Sequence, residues 1–147
     1  MDFTNTVTID RRAQEVFRFV SDLENVPKWN YAIIATRKTS DGPVDVGTTY
    51  RQVRSAPTRS EEQLRVTEFE SGRRFAVQGD LGPFVGTLTY EFEDVDGRTR
   101  LTNTASLEAR GLVKIAAPIA SARIREAVAE NLGALKQLME QRDTTPQ

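Results

Sequence analysis

The feature of this sequence that most constrains the fold is a long run of short alternating segments followed by one stretch of helix-forming residues. Six segments in which apolar and polar residues alternate are predicted to be strands, at 31–39, 48–55, 61–70, 73–80, 84–94 and 98–108. Turn signals such as Asp41-Gly42, Ser71-Gly72 and Asp96-Gly97 separate them. From about Leu112 to Glu140 the residues favour a helix. This order predicts an antiparallel meander closed by one long C-terminal helix.

The N-terminal segment that precedes this run has a different pattern. Residues 3–9 alternate between apolar residues and threonines, which predicts a strand. Asp10 is then predicted to cap a helix whose apolar stripe consists of Ala13, Val16, Phe17, Val20 and Leu23. A break near Asp22 is followed by a short second helical turn, with Pro27 at its start. We therefore expect one strand and two short helices before the meander.

The long helix is the only large element available to cover the sheet, which must bury one of its faces. Its apolar stripe is formed by Ile124, Val128, Leu132, Leu135 and Leu138 or Met139. We expect a single α+β domain over residues 1–142, with about six or seven strands, and a frayed tail at 143–147. A strongly curved sheet does not close perfectly against a helix, so gaps that bind small ligands are expected.

The composition removes several classes of chemistry. The chain has 147 residues, with 20 Lys and Arg against 21 Asp and Glu, and this near-neutral balance argues against nucleic-acid binding. Cysteine and histidine are both absent, which excludes a thiolate nucleophile, a Ser–His–Asp triad and the usual zinc ligands. We expect no metal and no cofactor. No apolar run has the length of a membrane span and the N-terminus lacks a signal-peptide pattern, so the expected location is the cytoplasm.

Several short motifs, in order along the chain, resemble a known superfamily. They are IDRRAQEVF at 9–17, VSDLENVPKWN at 20–30, VGTTY at 46–50, VTEFE at 66–70, GRTRL at 97–101 and NLGALK at 131–136. On these motifs the chain is similar to the START-like, Bet v 1-like (SRPBCC) superfamily, and within it to bacterial polyketide cyclase/dehydrase-type proteins. The resemblance implies a helix-grip fold with an internal apolar cavity under the long helix. It also implies that the front half of that helix, with Ile115, Ile119 and Arg123, borders the cavity.

Aromatic residues are expected to belong mostly to the core, and they are Trp29, Tyr31, Tyr50, Phe75, Phe84, Tyr90 and Phe92. Trp29 either packs the short helices against the sheet or lines the mouth of the cavity. A buried tyrosine hydroxyl needs a hydrogen-bond partner. Tyr50 and Tyr90 are therefore candidates for a hydrogen bond to a ligand.

Polar residues at inward positions are the second group of candidates. Asn103 alternates with apolar residues in its strand, so it is predicted to lie inside, either as a satisfied structural amide or facing a ligand. On the long helix, Arg123 either reaches inward or pairs with acidic neighbours on the surface. Asp80 is expected to be an exposed turn residue, with a general base as the alternative.

The strand 48–55 has two faces of similar polarity. Tyr50, Gln52 and Arg54 share one face, and Arg51, Val53 and Ser55 share the other. We favour the first face as the inward one, which brings an amide and a guanidinium to the cavity and suits an oxygenated or anionic ligand. With the other face inward, Arg51 takes that role.

These observations predict a protein that binds a small hydrophobic or amphipathic molecule, such as a lipid, a polyketide or an aromatic compound, between sheet and helix. The alternatives are a cofactor-independent polyketide cyclase or dehydratase acting on a carbonyl substrate in the same cavity, and a protein–protein interaction module. The expected form is a monomer or a homodimer. No catalytic residue is assigned, and the predicted ligand-binding residues are Trp29, Tyr50, Gln52, Arg54, Phe75, Phe84, Tyr90, Asn103, Ile115, Ile119 and Arg123.

Overall fold

The computed structural model describes residues 1–109 and 117–141, the side chains of 117–121 excepted. Its elements follow the predicted order, which confirms the α+β helix-grip architecture. Helix α1 (Ala13–Ser21) and a 3₁₀ helix (Leu23–Lys28) come after the first strand, and helix α2 (Ala117–Gln141) comes after the last. The seven strands are β1 Asp2–Ile9, β2 Ile33–Lys38, β3 Thr49–Arg54, β4 Ser60–Glu70, β5 Arg74–Leu81, β6 Phe84–Val95 and β7 Arg98–Ala109.

All seven strands belong to one antiparallel sheet with the order β1-β7-β6-β5-β4-β3-β2. The meander β2 to β7 is built from consecutive hairpins, and β1 pairs with β7, so the first and last strands are neighbours. Alternation places Phe3 and Ile9 of β1 on the same face as Leu101 and Ala105 of β7, and all four are buried. This inner face is the one that the helices cover.

Two glycines mark where neighbouring strands come unusually close. A Cβ atom on Gly79 of β5 would lie 2.1 Å from the backbone oxygen of Gln63, and one on Gly86 of β6 would lie 2.1 Å from that of Ser106. Gly79 and Gly86 are directly paired in the ladder. A close backbone approach of this kind excludes any side chain, so the sheet depends on glycine at both positions.

Helix α1 buries its apolar stripe in the main core, where the Phe17 ring meets those of Phe69 and Phe92 edge-on at 5.2 Å between centroids. The prediction that Asp10 caps this helix is wrong. Arg12 occupies the N-cap position and makes no side-chain capping bond. The Asp10 backbone amide instead donates to the Glu140 Oε2 atom at 2.9 Å, because β1 delivers it next to the end of α2.

The 3₁₀ helix begins after Asp22, whose Oδ1 atom accepts a hydrogen bond from the Glu24 backbone amide. Pro27 lies within this helix near its end rather than at its start. The expectation that Tyr31 belongs to the core is also wrong, since its side chain is 76% exposed. Residues 31 and 32 form a turn before β2, and this turn carries the ring away from the sheet.

Helix α2 is packed tightly at its rear and loosely at its front. Leu132, Leu135 and Met139 are buried in the main core, whereas Ile124 and Val128 are only half-buried. The front residues pack against a smaller cluster formed by Phe3, Phe84, Ala105 and Leu107. The predicted start of the helix at 112–116, and the predicted tail at 143–147, lie outside the described residues. No helix in the described part of the chain is long and apolar enough to cross a membrane.

Candidate ligand-binding site

Asn103 is the most unusual polar residue of the inner face. It lies on β7 between the buried residues Leu101 and Ala105, and its side chain is 0% exposed. Neither its Nδ2 nor its Oδ1 atom has a hydrogen-bond partner in the described structure. A buried amide without partners loses its hydration and regains nothing, which costs about 1–3 kcal/mol. The amide can therefore still donate hydrogen bonds through Nδ2 and accept them through Oδ1.

Tyr90 lies beside Asn103 because the two residues are directly paired across β6 and β7. Burial raises the pKa of the Tyr90 hydroxyl, so this group stays protonated and is a hydrogen-bond donor at neutral pH. Its ring stacks in a tilted arrangement on Phe75 of β5, with 6.3 Å between centroids. The Tyr90 hydroxyl and the Asn103 amide thus bring two polar groups to an otherwise apolar part of the inner face.

A second polar group surrounds the carboxylate of Glu62 on β4. Its Oε1 atom accepts from Gln52 Nε2 at 2.8 Å, and its Oε2 atom accepts from Arg54 Nε at 2.8 Å. The Oε2 atom also accepts from the Ser60 hydroxyl at 3.0 Å and from the Gly82 backbone amide at 2.6 Å. We call these five residues the Glu62 cluster. It joins β3 and β4 to the turn between β5 and β6.

The carboxylate of Glu62 is ionised in this setting although it is only 1% exposed. Burial by itself raises the pKa of a carboxyl group, but here the hydrogen bonds from Arg54 and Gln52, the Arg54 charge and the Gly82 amide outweigh it. Together they lower the Glu62 pKa below 4.5, its usual value. Arg54 and Glu62 are therefore a buried ion pair.

Tyr50 is the other buried tyrosine, and it lines a space beside α1. This space is a cleft of about 490 Å³ whose lining includes Phe17 and Ser21 of α1, Val44 of the β2–β3 connection and Phe69 of β4. The Tyr50 hydroxyl makes no hydrogen bond within the described part of the chain. The nearby Leu23 backbone amide acts to lower its pKa, because an N–H group favours the ionised form. Burial and the nearby Asp22 carboxylate nevertheless raise its pKa to about 12. The hydroxyl is therefore protonated.

The structure brings some of the predicted site residues together and not others. Gln52 and Arg54 meet in the Glu62 cluster, and the burial of Tyr50 and Gln52 shows that the favoured face of β3 is the inward one. Arg123 is exposed on α2, the side chain of Ile119 is not described, and Ile115 lies outside the described residues. The remaining aromatic members of the predicted set are buried, and they are Trp29, Phe75 and Phe84. Whether these residues contact a ligand stays a prediction.

Glu62 is the important residue that the sequence analysis missed. The signal was present, because Glu62 alternates with Leu64 and Val66, and both of those side chains point inward. A carboxylate at an inward position predicts a buried partner. Asp80 also differs from the expectation, since it lies within β5, is half-buried, and accepts from the Gln63 backbone amide at 3.3 Å.

Several solved structures have the same fold as this chain. A START superfamily protein from Mycobacterium smegmatis matches with a TM-score of 0.82 and 16% identity, over 95% of this chain and 97% of that one. The Zhui aromatase/cyclase from Streptomyces sp. R1128 matches with a TM-score of 0.81 and 16% identity, over 97% and 94%. One half of the di-domain ARO/CYC BexL is also similar, with a TM-score of 0.78 and 16% identity, over 99% of this chain and 48% of that one. These matches show that the chain has the helix-grip fold of those structures.

The family assignment is more specific than the fold. The model of the family described as polyketide cyclase / dehydrase and lipid transport matches residues 1–140, and the chain belongs to this family. A comparison with curated proteins gives no match. Family membership and the inner-face geometry support a role in binding or cyclising a small ligand.

Proposed function

We propose that this protein binds a small, mainly apolar molecule between the inner face of the sheet and the front half of α2. The observation that carries the proposal is the buried, unpartnered amide of Asn103. A ligand with one carbonyl or hydroxyl group satisfies this amide and so recovers the free energy that its burial costs. Tyr90, which is paired with Asn103 across the two strands, offers a second donor in its hydroxyl.

The smaller apolar cluster, which includes Ala105 two residues after Asn103 on the same face of β7, supports a binding site at the front of the molecule. Leu81 and Leu88 of the inner face, and Ile124 and Val128 of α2, remain half-buried although a helix covers this face. Apolar surface of this kind contributes about 25 cal/mol for each Å² that a ligand removes from water. In the rear half of α2 the main inward residues Leu132, Leu135 and Met139 are buried, so we expect a ligand to gain most at the front.

The test is native mass spectrometry of the purified protein, paired with thermal unfolding in the presence of fatty acids, sterols, flavonoids and aromatic polyketides. A bound mass, or a Tm that rises and saturates with ligand, supports the proposal, since a ligand at 100 times its Kd adds about 2.7 kcal/mol of stability. Absence of both across the panel contradicts it. The exposed-face variant Gln78→Ala serves as the control, because Gln78 lies on β5 with its side chain pointing outward.

A cyclase or dehydratase acting on a carbonyl compound is the second candidate. The protonated hydroxyl of Tyr90 and the amide of Asn103, on directly paired residues, favour this second candidate, because both groups can donate to a developing enolate oxygen. Water bound at the site then takes the α-proton. Tyr90→Phe distinguishes the candidates: an enzyme loses turnover of a polyketide-like carbonyl compound while it still binds the compound, and a carrier loses only a modest part of its affinity.

A further inference from the structure

The Glu62 cluster contains one positive and one negative charge, so its net charge is zero. Arg54 uses its Nε atom for Glu62, and its two terminal NH₂ groups have no acceptor among the described residues. Its side chain is 15% exposed, whereas the Glu62 carboxylate is 1% exposed. The terminal NH₂ groups are therefore available as donors, beside a carboxylate that already balances their charge.

The cluster is positioned at the front end of the inner face, where the ligand is proposed to bind. Gln52 and Glu62 are directly paired across β3 and β4, and both side chains are buried on the inner face. Gly82, which donates to Glu62, sits in the turn between Leu81 and Phe84. Phe84 belongs to the smaller apolar cluster under the front half of α2, and Leu81 packs against it. The Arg54 side chain lies against Gly82, since a Cβ atom there would be 3.5 Å from its Nε atom, and so the guanidinium group borders the same apolar region.

We propose that Glu62 is a specificity-determining residue: by neutralising Arg54 it makes the polar end of the site suited to an uncharged hydrogen-bond acceptor and unsuited to a carboxylate. This inference rests on the proposed ligand-binding function. A ketone or ester oxygen accepts from the NH₂ groups of Arg54 with little loss of hydration. A carboxylate loses far more hydration on burial, and the adjacent Glu62 charge cancels the attraction that would compensate it.

The first experiment needs only the unmodified protein and three molecules built on the same ring. They are 2-acetylnaphthalene, which is an uncharged ketone, 2-naphthoate, which has nearly the same shape and a negative charge, and 2-isopropylnaphthalene, which lacks an acceptor. Their Kd values are measured by equilibrium dialysis at neutral pH. The ketone is expected to bind at least about tenfold more tightly than the carboxylate and several-fold more tightly than the hydrocarbon.

The second experiment changes the charge. Glu62→Gln leaves Arg54 unbalanced, so the preference for the ketone over 2-naphthoate is expected to fall by about tenfold or more. Glu61→Gln is the matched control, since its side chain is exposed on the opposite face of the same strand, and it should change the ratio by less than about twofold. The double variant Arg54→Met with Glu62→Met replaces the pair by apolar side chains, which folded proteins often accept. It should bind the ketone no better than the hydrocarbon.

The outcomes separate this inference from the proposed function. If none of the three molecules binds the unmodified protein, the proposed function fails and the inference fails with it. If they bind but the carboxylate binds as tightly as the ketone, only the inference about Glu62 is overturned. An unchanged ratio in Glu62→Gln, with a native circular dichroism spectrum, overturns it as well. If Glu62→Gln does not fold, the inference is tested by the Kd values of the unmodified protein and of the double variant. Tighter binding of the ketone than of the hydrocarbon by the double variant overturns it.

Discussion

Replacing Asn103 by leucine is expected to make the ligand-free protein more stable. The side chain is fully buried, and neither of its polar atoms has a partner in the described structure. An unpaired buried polar group costs about 1–3 kcal/mol, and leucine has a similar length without polar atoms. The free energy of unfolding should therefore rise by about 1–3 kcal/mol. In a chain of this size each kcal/mol corresponds to roughly 2–4 °C in Tm.

Urea unfolding followed by circular dichroism measures this change, provided that the slope of the transition is the same in both proteins. Thr102→Val is the control, because Thr102 is the neighbour on the outer face of β7, with its hydroxyl 3.5 Å from that of Thr6. This substitution should change the free energy of unfolding by no more than about 0.5 kcal/mol.

A ligand should reverse the advantage of the leucine variant. A carbonyl compound that stabilises the unmodified protein should stabilise Asn103→Leu less, because its oxygen no longer meets an amide, whereas a hydrocarbon should stabilise both equally. A leucine variant that is less stable than the unmodified protein by about 1 kcal/mol or more would refute the reasoning. That result would mean that the amide is satisfied within the fold and has no free capacity for a ligand.

Three further predictions concern other parts of the molecule. Glu62 has a lowered pKa in the folded protein, so its stabilising contribution is complete above pH 4.5 and is lost as the pH falls through the folded-state pKa. Urea unfolding at successively lower pH should show this loss of stability. A Glu62→Gln variant whose stability is equally sensitive to acid would contradict the prediction. Gly86→Ala should destabilise the protein by more than about 2 kcal/mol, because the new Cβ atom would lie 2.1 Å from the Ser106 backbone oxygen. Gly133→Ala, with nothing within 4 Å of the new atom, should stabilise the protein by about 0.5–1 kcal/mol. Thermal melts in which Gly86→Ala is the more stable of the two variants would contradict the close strand packing. Tyr90→Phe should leave a carrier folded and able to bind. Burial raises the pKa of Tyr90, so spectrophotometric titration should count the same number of tyrosines ionising near the usual value of 10.0 in the unmodified protein and in this variant.

The order of the elements was predictable because each depends on local pattern. Alternating residues and turn signals located the strands to within about two residues at most ends, as in β4, predicted at 61–70 and observed at Ser60–Glu70. Local pattern was insufficient where a neighbour decides the role of a residue. Asp10 has the chemistry of a helix cap, but its backbone amide pairs with Glu140 at the far end of the chain.

The candidate site was predictable in part. Alternation alone placed Asn103 on the inner face and favoured the inward face of β3 that carries Gln52 and Arg54, and the structure confirms both orientations. Alternation did not reveal which tyrosine lines the cleft beside α1, because both residues point inward in their own strands, and the structure shows that it is Tyr50.

The sequence by itself determined which side chains of each strand face inward and which segment covers them, since these depend on residue spacing along a single element. Only the tertiary structure decided which inward polar groups meet. Glu62 and Gly82 are twenty residues apart and come within 2.6 Å because two hairpins bring their ends together. Asn103, by contrast, faces neighbours that offer it no partner. Contacts of this kind depend on strand register and sheet curvature, which arise from the packing of the whole chain.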